Sequence, residues 1–392
     1  MLHTAAIRNY DGEIKMHTEI WRRLGGLLFI ALLGSGLARA DTVVIGQCAP
    51  LSGSLASTGQ AMALGVRIAI DAANAAGGVN GHTLKHVLKD DGYQTAETLR
   101  LTQELIRKDK AAALIGYAGT GNIAELLKQG VLSTGGIALV APYTGGEPLR
   151  SPFNPWIFHI RASYGDETEA MVRQFVGTGL TRIAVFHQND PFGQAGLAGV
   201  EKALARHKMK IVSKGSYEKN TEDVARAVED IARGVPQAVI MIGVVRPTAA
   251  FVKAYQTAHP GTQLFSISVV NGRELHQLAG GDAARGVGIT QVMPSPFSGV
   301  TRIARDYHQA LKRFAPEDTP SYTSFEEYVG ARVLIEAIRR SKGTPTPAAV
   351  MQSLENLDLD LGGFKVRFGP GERVGSRYVE VTLLGRDGNH VR

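Results

Sequence analysis

Residues 41–81 read DTVVIGQCAPLSGSLASTGQAMALGVRIAIDAANAAGGVNG. The run from Thr42 to Cys48 is rich in β-branched and apolar residues, which predicts a strand, and the Pro, Ser and Gly residues after it predict a loop. An Ala-rich segment follows and predicts a long helix that ends at Gly77 and Gly78. A strand, a loop and a helix in this order open an α/β sheet. The loop offers hydroxyl groups and backbone donors but almost no side chain suited to catalysis. The pattern therefore favours binding of a small molecule over its conversion.

The N-terminal region has the three parts of a secretory signal peptide. A cationic segment at 21–23 precedes an apolar run at 24–33, and the Ala-x-Ala sequence at 38–40 is a cleavage site. The apolar run is too short to span a bilayer. We therefore predict that the first forty residues are removed, that the mature chain begins at Asp41, and that the protein is periplasmic. An uncleaved membrane anchor is the alternative, and Met16 is a more natural start for this signal than the first residue.

Composition excludes several classes of protein. The chain has 392 residues and a formal net charge of +7, and without a signal peptide it is still long enough for two domains. The Lys and Arg residues are scattered along predicted helices, whereas nucleic-acid-binding proteins cluster them among aromatic side chains, so we expect no nucleic-acid partner. Cys48 is the single cysteine. This excludes an internal disulfide and predicts a small buried side chain at the end of the first strand.

Motifs of common enzyme classes are missing from the sequence. It contains no Gly-x-Gly-x-x-Gly turn, no Gly-x-Ser-x-Gly elbow, no Walker loop and no His-Glu-x-x-His helix. His159, His187 and His276 are too dispersed to suggest a metal site. We therefore expect no catalysis, no metal and no cofactor, and an enzyme on a doubly wound fold is the least favoured alternative.

Apolar strands alternate with helical segments along most of the chain, which predicts parallel sheets with helices on both faces. Proline-containing passages interrupt the series at 150–156 and 292–297, and a third break lies at 357–362. We predict an α/β fold of two Rossmann-like lobes with parallel sheets joined by a three-strand hinge, which leaves a cleft that can close on a ligand. The predicted lobes are 41–156 plus 293–356 and 157–292 plus 357–392.

Seven passages carry a resemblance to a known family. They are IGQCAPLSG (45–53), NAAGGVNG (74–81), KDDGYQTAETLRLTQELI (89–106), ALIGYAGTGN (113–122), VAPYTGGEPL (140–149), FHQNDPFGQAG (186–196) and LAGGDAARGVGITQVMP (278–294). In this order they resemble the branched-chain amino-acid-binding (Leu/Ile/Val-binding-protein-like) periplasmic substrate-binding proteins of ABC transporters. The resemblance covers nearly all of residues 41–384. It implies a type I periplasmic binding protein fold, a small-molecule ligand between the lobes, no catalysis, a monomer, and an inner-membrane ABC permease as partner.

Loops at the carboxyl ends of parallel strands should face this ligand, and helix N-termini there present unpaired N–H groups that suit a carboxylate. Three loops have this position, at 50–58, 117–122 and 142–147. By resemblance, the family's carboxylate-binding residues map onto 117–120 and 143–145. Ordinary turn chemistry is the alternative for these residues. The predicted ligand-binding residues in both lobes are Ser52, Gly53, Tyr117, Ala118, Gly119, Thr120, Tyr143, Thr144, Gly145, Phe192, Arg246 and Val269.

The second lobe should supply the opposite wall of the cleft. By resemblance, Phe192 stands where the family often has an aromatic residue against the ligand, with core packing as the alternative. By resemblance, relatives that bind α-amino acids use an acid near position 269 to hold the ammonium group, but this chain has Val269 there. Arg246 lies in an earlier second-lobe loop, with a surface Arg at a helix start as the alternative. A buried ammonium without an acidic partner costs several kcal/mol, whereas an Arg favours a carboxylate or a carbonyl.

We therefore expect the ligand to be a small organic acid, aromatic or aliphatic, or an amide-like compound. A misalignment that brings Glu274 into the cleft is one alternative, with a hydrophobic or branched-chain amino acid as the ligand. A periplasmic ligand sensor of the same fold is another. The sequence does not distinguish a sensor from a transport component, since both would close on a ligand in the same way.

Overall fold

The computed structural model describes residues 41–391, and the predicted signal peptide lies outside this part. The first series of elements begins with the stretch quoted above, whose strand and long helix form as predicted. Its elements are β1 (Thr42–Ala49), α1 (Ala56–Ala75), β2 (Thr83–Asp90), α2 (Thr95–Arg107), β3 (Ala113–Ile115), α3 (Thr120–Lys128), α4 (Val131–Gly135), β4 (Leu139–Val140) and β5 (Ile157–Phe158).

These five strands form one parallel sheet in the order β2-β1-β3-β4-β5. Because helices cover both faces of such a sheet, its inner strands β3 and β4 are apolar throughout rather than alternating. Cys48, near the end of β1, is fully buried, as predicted. Burial raises the pKa of its thiol to about 12, so the thiol stays protonated and unreactive at neutral pH.

A second parallel series follows and builds the sheet of the other lobe. Its elements are α5 (Tyr164–Gly177), β6 (Ile183–Gln188), α6 (Pro191–Arg206), β7 (Ile211–Tyr217), α7 (Ala225–Ala232), β8 (Ala238–Ile242), α8 (Val245–Ala258), β9 (Gln263–Ser266), α9 (Gly272–Ala279), α10 (Gly281–Ala284) and β10 (Gly288–Gln291). The strand order is β10-β9-β8-β6-β7, and these pairings are parallel. The predicted α/β fold of two Rossmann-like lobes is therefore confirmed.

The last third of the chain returns to both lobes. Helices α11 and α12 and the ribbon β11–β12 pack in the core of the first lobe, and β13 and β14 extend the second sheet as antiparallel strands. None of the helices within residues 41–391 is long and apolar enough to cross a bilayer. The elements are α11 (Arg302–Phe314), α12 (Tyr322–Arg340), α13 (Pro347–Glu355), β11 (Asp358–Asp360), β12 (Lys365–Arg367), β13 (Glu380–Leu384) and β14 (His390–Val391).

Helices α1 and α12 make the most extensive helix contact of the first lobe. At Gly65 of α1, a Cβ would overlap the carbonyl oxygen of Ser324 and would lie 2.8 Å from the backbone nitrogen of Tyr328. Only a glycine lets the two backbones approach this far. The helices bring together residues about 260 positions apart in the chain and close one face of the first sheet.

The lobe boundaries in the structure differ from those predicted from the sequence. Strand β5 pairs with the first sheet, and Leu357 and Phe364 pack in the first core, although the sequence assigned these positions to the second lobe. We therefore propose crossings between the lobes near 159–162, 291–293 and 374–379. Two of these segments are joined directly, because His159 N donates to Arg373 O and Gly375 N donates to His159 O, each at 2.8 Å.

Candidate ligand-binding cleft

An apolar cluster built by both lobes lies where the carboxyl ends of the two sheets approach each other. It surrounds a cavity of about 20 Å³, which has room for about one water molecule, so a larger ligand requires the walls of the two lobes to move apart. The first lobe contributes Leu55, Tyr93, Ala118, Gly119 and Tyr143 to the wall, and the second contributes Tyr164, Phe192, Val244 and Val269.

Two neighbouring strand ends position the first-lobe wall. Ala118, beyond β3, forms a parallel bridge with Tyr143, beyond β4, and Tyr143 N donates to Tyr117 O at 2.8 Å. Gly119 has a φ of +92°, and a Cβ there would lie 2.8 Å from the Tyr93 ring. A glycine is required at this point because the backbone conformation and the aromatic neighbour both exclude a side chain.

Tyr93 is a wall residue that sequence reasoning missed. Its φ is +62°, a conformation uncommon outside glycine, and Asp91 holds it by accepting from Tyr93 N at 3.0 Å. Asp91 in turn accepts from Thr98 Oγ1 at 2.6 Å. The phenol oxygen accepts a hydrogen bond at 3.3 Å from Gln188 Nε2 of the second lobe. The available signal was its place in a short turn just beyond β2, at the carboxyl end of a parallel strand.

The second-lobe wall comes from the starts of two helices and the ends of two strands. Tyr164 is the first residue of α5, which begins at Ser163 with a capping box. Phe192 lies in the first turn of α6, and its ring meets that of Tyr164 edge to face at 5.5 Å. Val244 and Val269 follow β8 and β9. This wall is apolar and is fixed by regular elements rather than by a mobile loop.

The structure brings Ala118, Gly119, Tyr143, Phe192 and Val269 into the cavity wall, and each was among the predicted site residues. Three other predicted residues lie directly behind that wall. These are Thr120 and Thr144, whose hydroxyls are 2.7 Å apart, and Gly145, whose carbonyl accepts from Tyr164 N at 2.8 Å. The predicted role of these residues in binding stays a prediction.

Four predicted residues lie away from the cavity, which corrects their expected placement. Tyr117 points into the core of the first lobe, where its hydroxyl accepts from Thr102 Oγ1 at 3.1 Å, because successive residues of an extended chain face opposite sides. Ser52 and Gly53 are exposed. Arg246 is 47% exposed and its Nε lies 2.5 Å from Glu222 Oε1, since it lies on the outer side of α8 while Val244 faces the cavity.

Behind Tyr143 lies a group of buried ionisable residues, Arg161, Glu167, Glu326 and Glu327, that we call the buried charge cluster. Arg161 Nε is 3.4 Å from Glu326 Oε1, and the guanidinium donates to Ser268 Oγ. Burial raises the pKa of Glu326 to about 7, against the opposing effect of Arg161. Burial also raises the pKa of Glu327 well above its usual value. Protonation of these carboxyls limits the charge that the cluster carries near neutral pH.

Glu167 contacts Ser268, the residue before Val269, and no local pattern predicts this contact because Glu167 lies about one hundred positions earlier in the chain. Its carboxylate accepts from Ser268 N at 2.7 Å, from Ser268 Oγ at 3.1 Å and from Thr290 Oγ1 at 2.5 Å. Burial raises the pKa of Glu167, against the opposing effect of Arg161. The carboxylate is therefore occupied by protein donors and is not part of the cavity wall.

The three tyrosine hydroxyls at the cavity have protein partners. Tyr93 bonds with Gln188, Tyr143 lies 3.0 Å from Thr323 Oγ1, and Tyr164 bonds with Thr144. Burial raises the pKa of all three phenols, so they are neutral hydrogen-bonding groups at physiological pH. Across residues 41–391, no cluster of His, Cys, Asp and Glu could hold a metal ion.

A larger surface groove of about 1120 Å³ shares none of its lining with this cavity. Its walls carry many charged side chains, among them Glu147, Asp166, Lys202, Arg206 and Arg377. Small-molecule sites are mostly apolar with a few polar groups and lie at the carboxyl ends of parallel strands. The interlobe cavity fits that description, and the larger groove does not.

Comparison with known proteins agrees with this geometry. A family model described as periplasmic binding protein matches residues 42–388. The chain is similar to a substrate-binding periplasmic protein from Ralstonia solanacearum, with 35% identity and a TM-score of 0.86 over 89% of this chain and 99% of that one. It is also similar to a possible leucine/isoleucine/valine-binding protein from Rhodopirellula baltica SH 1, with 29% identity and a TM-score of 0.86 over 91% and 98% of the two chains.

Among curated proteins, the chain is similar to Leu/Ile/Val-binding protein homolog 7 of Brucella abortus. The two are 25% identical over 359 residues, which cover 87% of this chain and 88% of the relative. The similarity thus extends over both lobes rather than over a single motif.

Proposed function

Because the chain belongs to the periplasmic binding protein family, we propose that it is an extracytoplasmic solute-binding protein that captures a small apolar carboxylic acid between its lobes and delivers it to an ABC importer. The observation that carries the choice of ligand is the chemistry of the cavity wall. Its nine residues, all within the described part of the chain, offer aromatic rings, aliphatic side chains and phenol hydroxyls, but no carboxylate.

An amino acid would need a partner for its ammonium group, and the wall does not provide an anionic one. Glu167 lies beside Ser268, the residue before Val269, but three protein donors already occupy its oxygens. Burial of an unpaired ammonium costs several kcal/mol, whereas a keto acid or an aromatic acid avoids this cost.

The ligand's own carboxylate has a suitable partner in the first lobe. Helix α3 begins at Thr120, directly after the wall residue Gly119. The first turn of a helix presents backbone N–H groups that lack intrahelical partners, and its dipole favours an anion. We propose that the ligand's carboxylate lies at this helix start, that its α carbon faces Val269, and that its apolar part lies against Phe192 and Val244.

A branched-chain amino acid is the second candidate ligand. The relatives from Rhodopirellula and Brucella are named as leucine, isoleucine and valine binders or their homologues. Leu55 and Val244 would suit an aliphatic side chain. This candidate requires the ammonium to find a neutral partner, such as a phenol or a backbone carbonyl.

Leucine and 4-methyl-2-oxopentanoate form a matched pair of ligands, because they share the isobutyl group and the carboxylate and differ only at the α carbon. In calorimetric titrations, with benzoate as an aromatic third compound, we expect the keto acid or benzoate to bind at least about tenfold tighter than leucine. Tight binding of leucine without binding of the acids would overturn the organic-acid proposal and favour the second candidate. Gly119→Ala, which brings a methyl group against Tyr93, should weaken either ligand and so report on the cavity itself.

The finer parts of the proposal concern location, partners and assembly. We propose that the protein acts in the periplasm as a monomer, meets an inner-membrane permease, binds no nucleic acid and catalyses no reaction. A sensor of the same fold would also close on its ligand. Ligand-dependent uptake in cells that carry or lack the gene for this chain would distinguish transport from sensing.

A further inference from the structure

A lysine of the second lobe reaches across the cleft to a wall residue of the first lobe. Lys219 follows β7, and its Nζ donates to Asn122 Oδ1 of α3 at 2.9 Å. The same ammonium lies 3.9 Å from the centroid of the Tyr93 ring. This distance is typical of a cation–π contact, which grows stronger as the cation loses water.

The first-lobe partners of Lys219 are held in place by hydrogen bonds within their own lobe. Asn122 is fully buried, and its Nδ2 donates to Thr98 Oγ1 at 2.9 Å. Thr98 donates to Asp91, which also holds the strained backbone of Tyr93. The two groups that receive the ammonium thus belong to one hydrogen-bonded network within a single lobe, and Lys219 joins it from the other lobe.

Several charged groups act on this ammonium. Lys219 is partly buried, and burial lowers its pKa, while Asp190 and Asp91 act in the opposite direction. Its direct partners are an amide and an aromatic ring, both neutral. A partly buried lysine is costly unless its partners compensate for lost hydration, and these partners are available only when the lobes are in contact.

Two other hydrogen bonds between the lobes are exposed, and their first-lobe partners are uncharged serines. Ser54 Oγ donates to Asn220 Oδ1, and Ser57 Oγ donates to Glu274 Oε1, each at 2.7 Å. Exposed hydrogen bonds of this kind exchange easily with water and contribute little. The contact of Lys219 is more buried and reaches a residue that lines the cavity.

We propose that Lys219 is a positioning residue of the cleft, whose ammonium clamps the Tyr93 ring and the Asn122 amide from the opposite lobe and so couples closure to the shape of the cavity wall. The inference rests on the proposed function, since it assigns a role in closing on a ligand. Lys219 acts on the ligand through Tyr93 rather than by touching it. Loss of the clamp should favour the open form and weaken ligands of both kinds by about tenfold.

Lobe separation can be measured directly with two spin labels. Lys128→Cys on α3 and Arg226→Cys on α7 provide exposed sites in the two lobes, and the buried Cys48 should not react with the label. Pulsed electron paramagnetic resonance then gives the distribution of distances between the two labels, without ligand and with leucine, 4-methyl-2-oxopentanoate or benzoate. Three variants are compared in this labelled protein. Lys219→Met removes the cation but keeps an unbranched side chain, and Lys219→Arg keeps the cation. Lys210→Met is the control, because it removes an exposed ammonium of the same lobe.

We expect Lys219→Met to shift the distribution to longer distances, or to require about tenfold more ligand for closure, while Lys219→Arg and Lys210→Met behave like the parent. Equal closure of the parent and Lys219→Met at the same ligand concentrations would overturn the role of Lys219 and leave the proposed function intact. A closed fraction that changes on substitution of Lys219 by Met, but on addition of none of the compounds, would contradict the proposed ligands and leave the role of Lys219 intact. A parent that never populates the closed distance would overturn the inference as well.

Discussion

The guanidinium of Arg161 lies 4.7 Å from the centroid of the Tyr143 ring, so a single aromatic side chain separates the cavity from the buried charge cluster. One face of the ring meets a cation that is itself paired with Glu326. The hydroxyl at the end of the ring lies 3.0 Å from Thr323 at the start of α12. The stability of the cluster and the shape of the binding wall are therefore linked through Tyr143.

Removal of the cation from this cluster should be strongly destabilising. Arg161→Met leaves Glu167 and Glu326 without their counter-ion in a dry interior, and we expect the free energy of unfolding to fall by about 3–5 kcal/mol. Urea denaturation at pH 8 measures this loss. Arg246→Met is the matched control, because it breaks an ion pair in which both partners are 47% exposed, and such pairs contribute about 1 kcal/mol or less. Similar losses for the two variants would contradict the prediction.

The buried carboxyl of Glu326 should make stability depend on pH in an unusual direction. Its pKa is raised from 4.5 to about 7 in the folded protein, so the folded state binds more protons than the unfolded state between these values. Stability should therefore fall as the pH rises from about 4.5 to 7, by an amount on the order of a few kcal/mol. Thermal unfolding across this range measures the slope, and Glu326→Gln should flatten it. A slope that the substitution leaves unchanged would assign the effect to other groups, such as Glu327.

The close approach of α1 and α12 should tolerate no side chain at position 65. Gly65→Ala forces the helices apart, because its Cβ would overlap the backbone of Ser324, and we expect a loss of about 1–3 kcal/mol or more. Gly177→Ala is the matched control, since it ends α5 with open space around its Cβ position. That variant should be neutral or slightly stabilising. Equal melting temperatures for the two variants would show that the helix contact can relax.

Position 269 should control the preference between acids and amino acids. Val269→Asp introduces a carboxylate into the cavity wall, and Val269→Asn introduces a side chain of the same shape without charge. We expect the Asp variant to bind 4-methyl-2-oxopentanoate about tenfold or more weakly than the Asn variant does, because two carboxylates repel in a poorly hydrated site. The ratio of leucine to keto-acid affinity should rise in the Asp variant. Equal ratios of leucine to keto-acid affinity in both variants, measured by calorimetry, would show that position 269 does not contact the ligand's α carbon.

The general architecture and about half of the cavity wall could be predicted from local patterns. Strand–helix alternation predicts parallel sheets, and loops at strand ends predict the positions of Ala118, Gly119 and Tyr143. Sequence patterns do not record which side of an extended segment faces the cleft, so Tyr117 was assigned to the site although it points into the core. They also do not record contacts between residues that lie far apart in the chain. Glu167 and Lys219 act on residues about one hundred positions away, and only the folded structure shows these pairs.

The pairing of α1 with α12 also has a consequence for the order in which the chain can fold. The core of the first lobe combines strands made before residue 160 with helices made after residue 300. During synthesis, the surfaces of α1 and the first sheet that α11 and α12 later cover stay exposed until the whole second lobe has been made. Contacts so distant in sequence slow folding and expose aggregation-prone surface. We therefore expect refolding of this chain to be slow and to yield more aggregate at higher protein concentration than a chain whose core contacts are local.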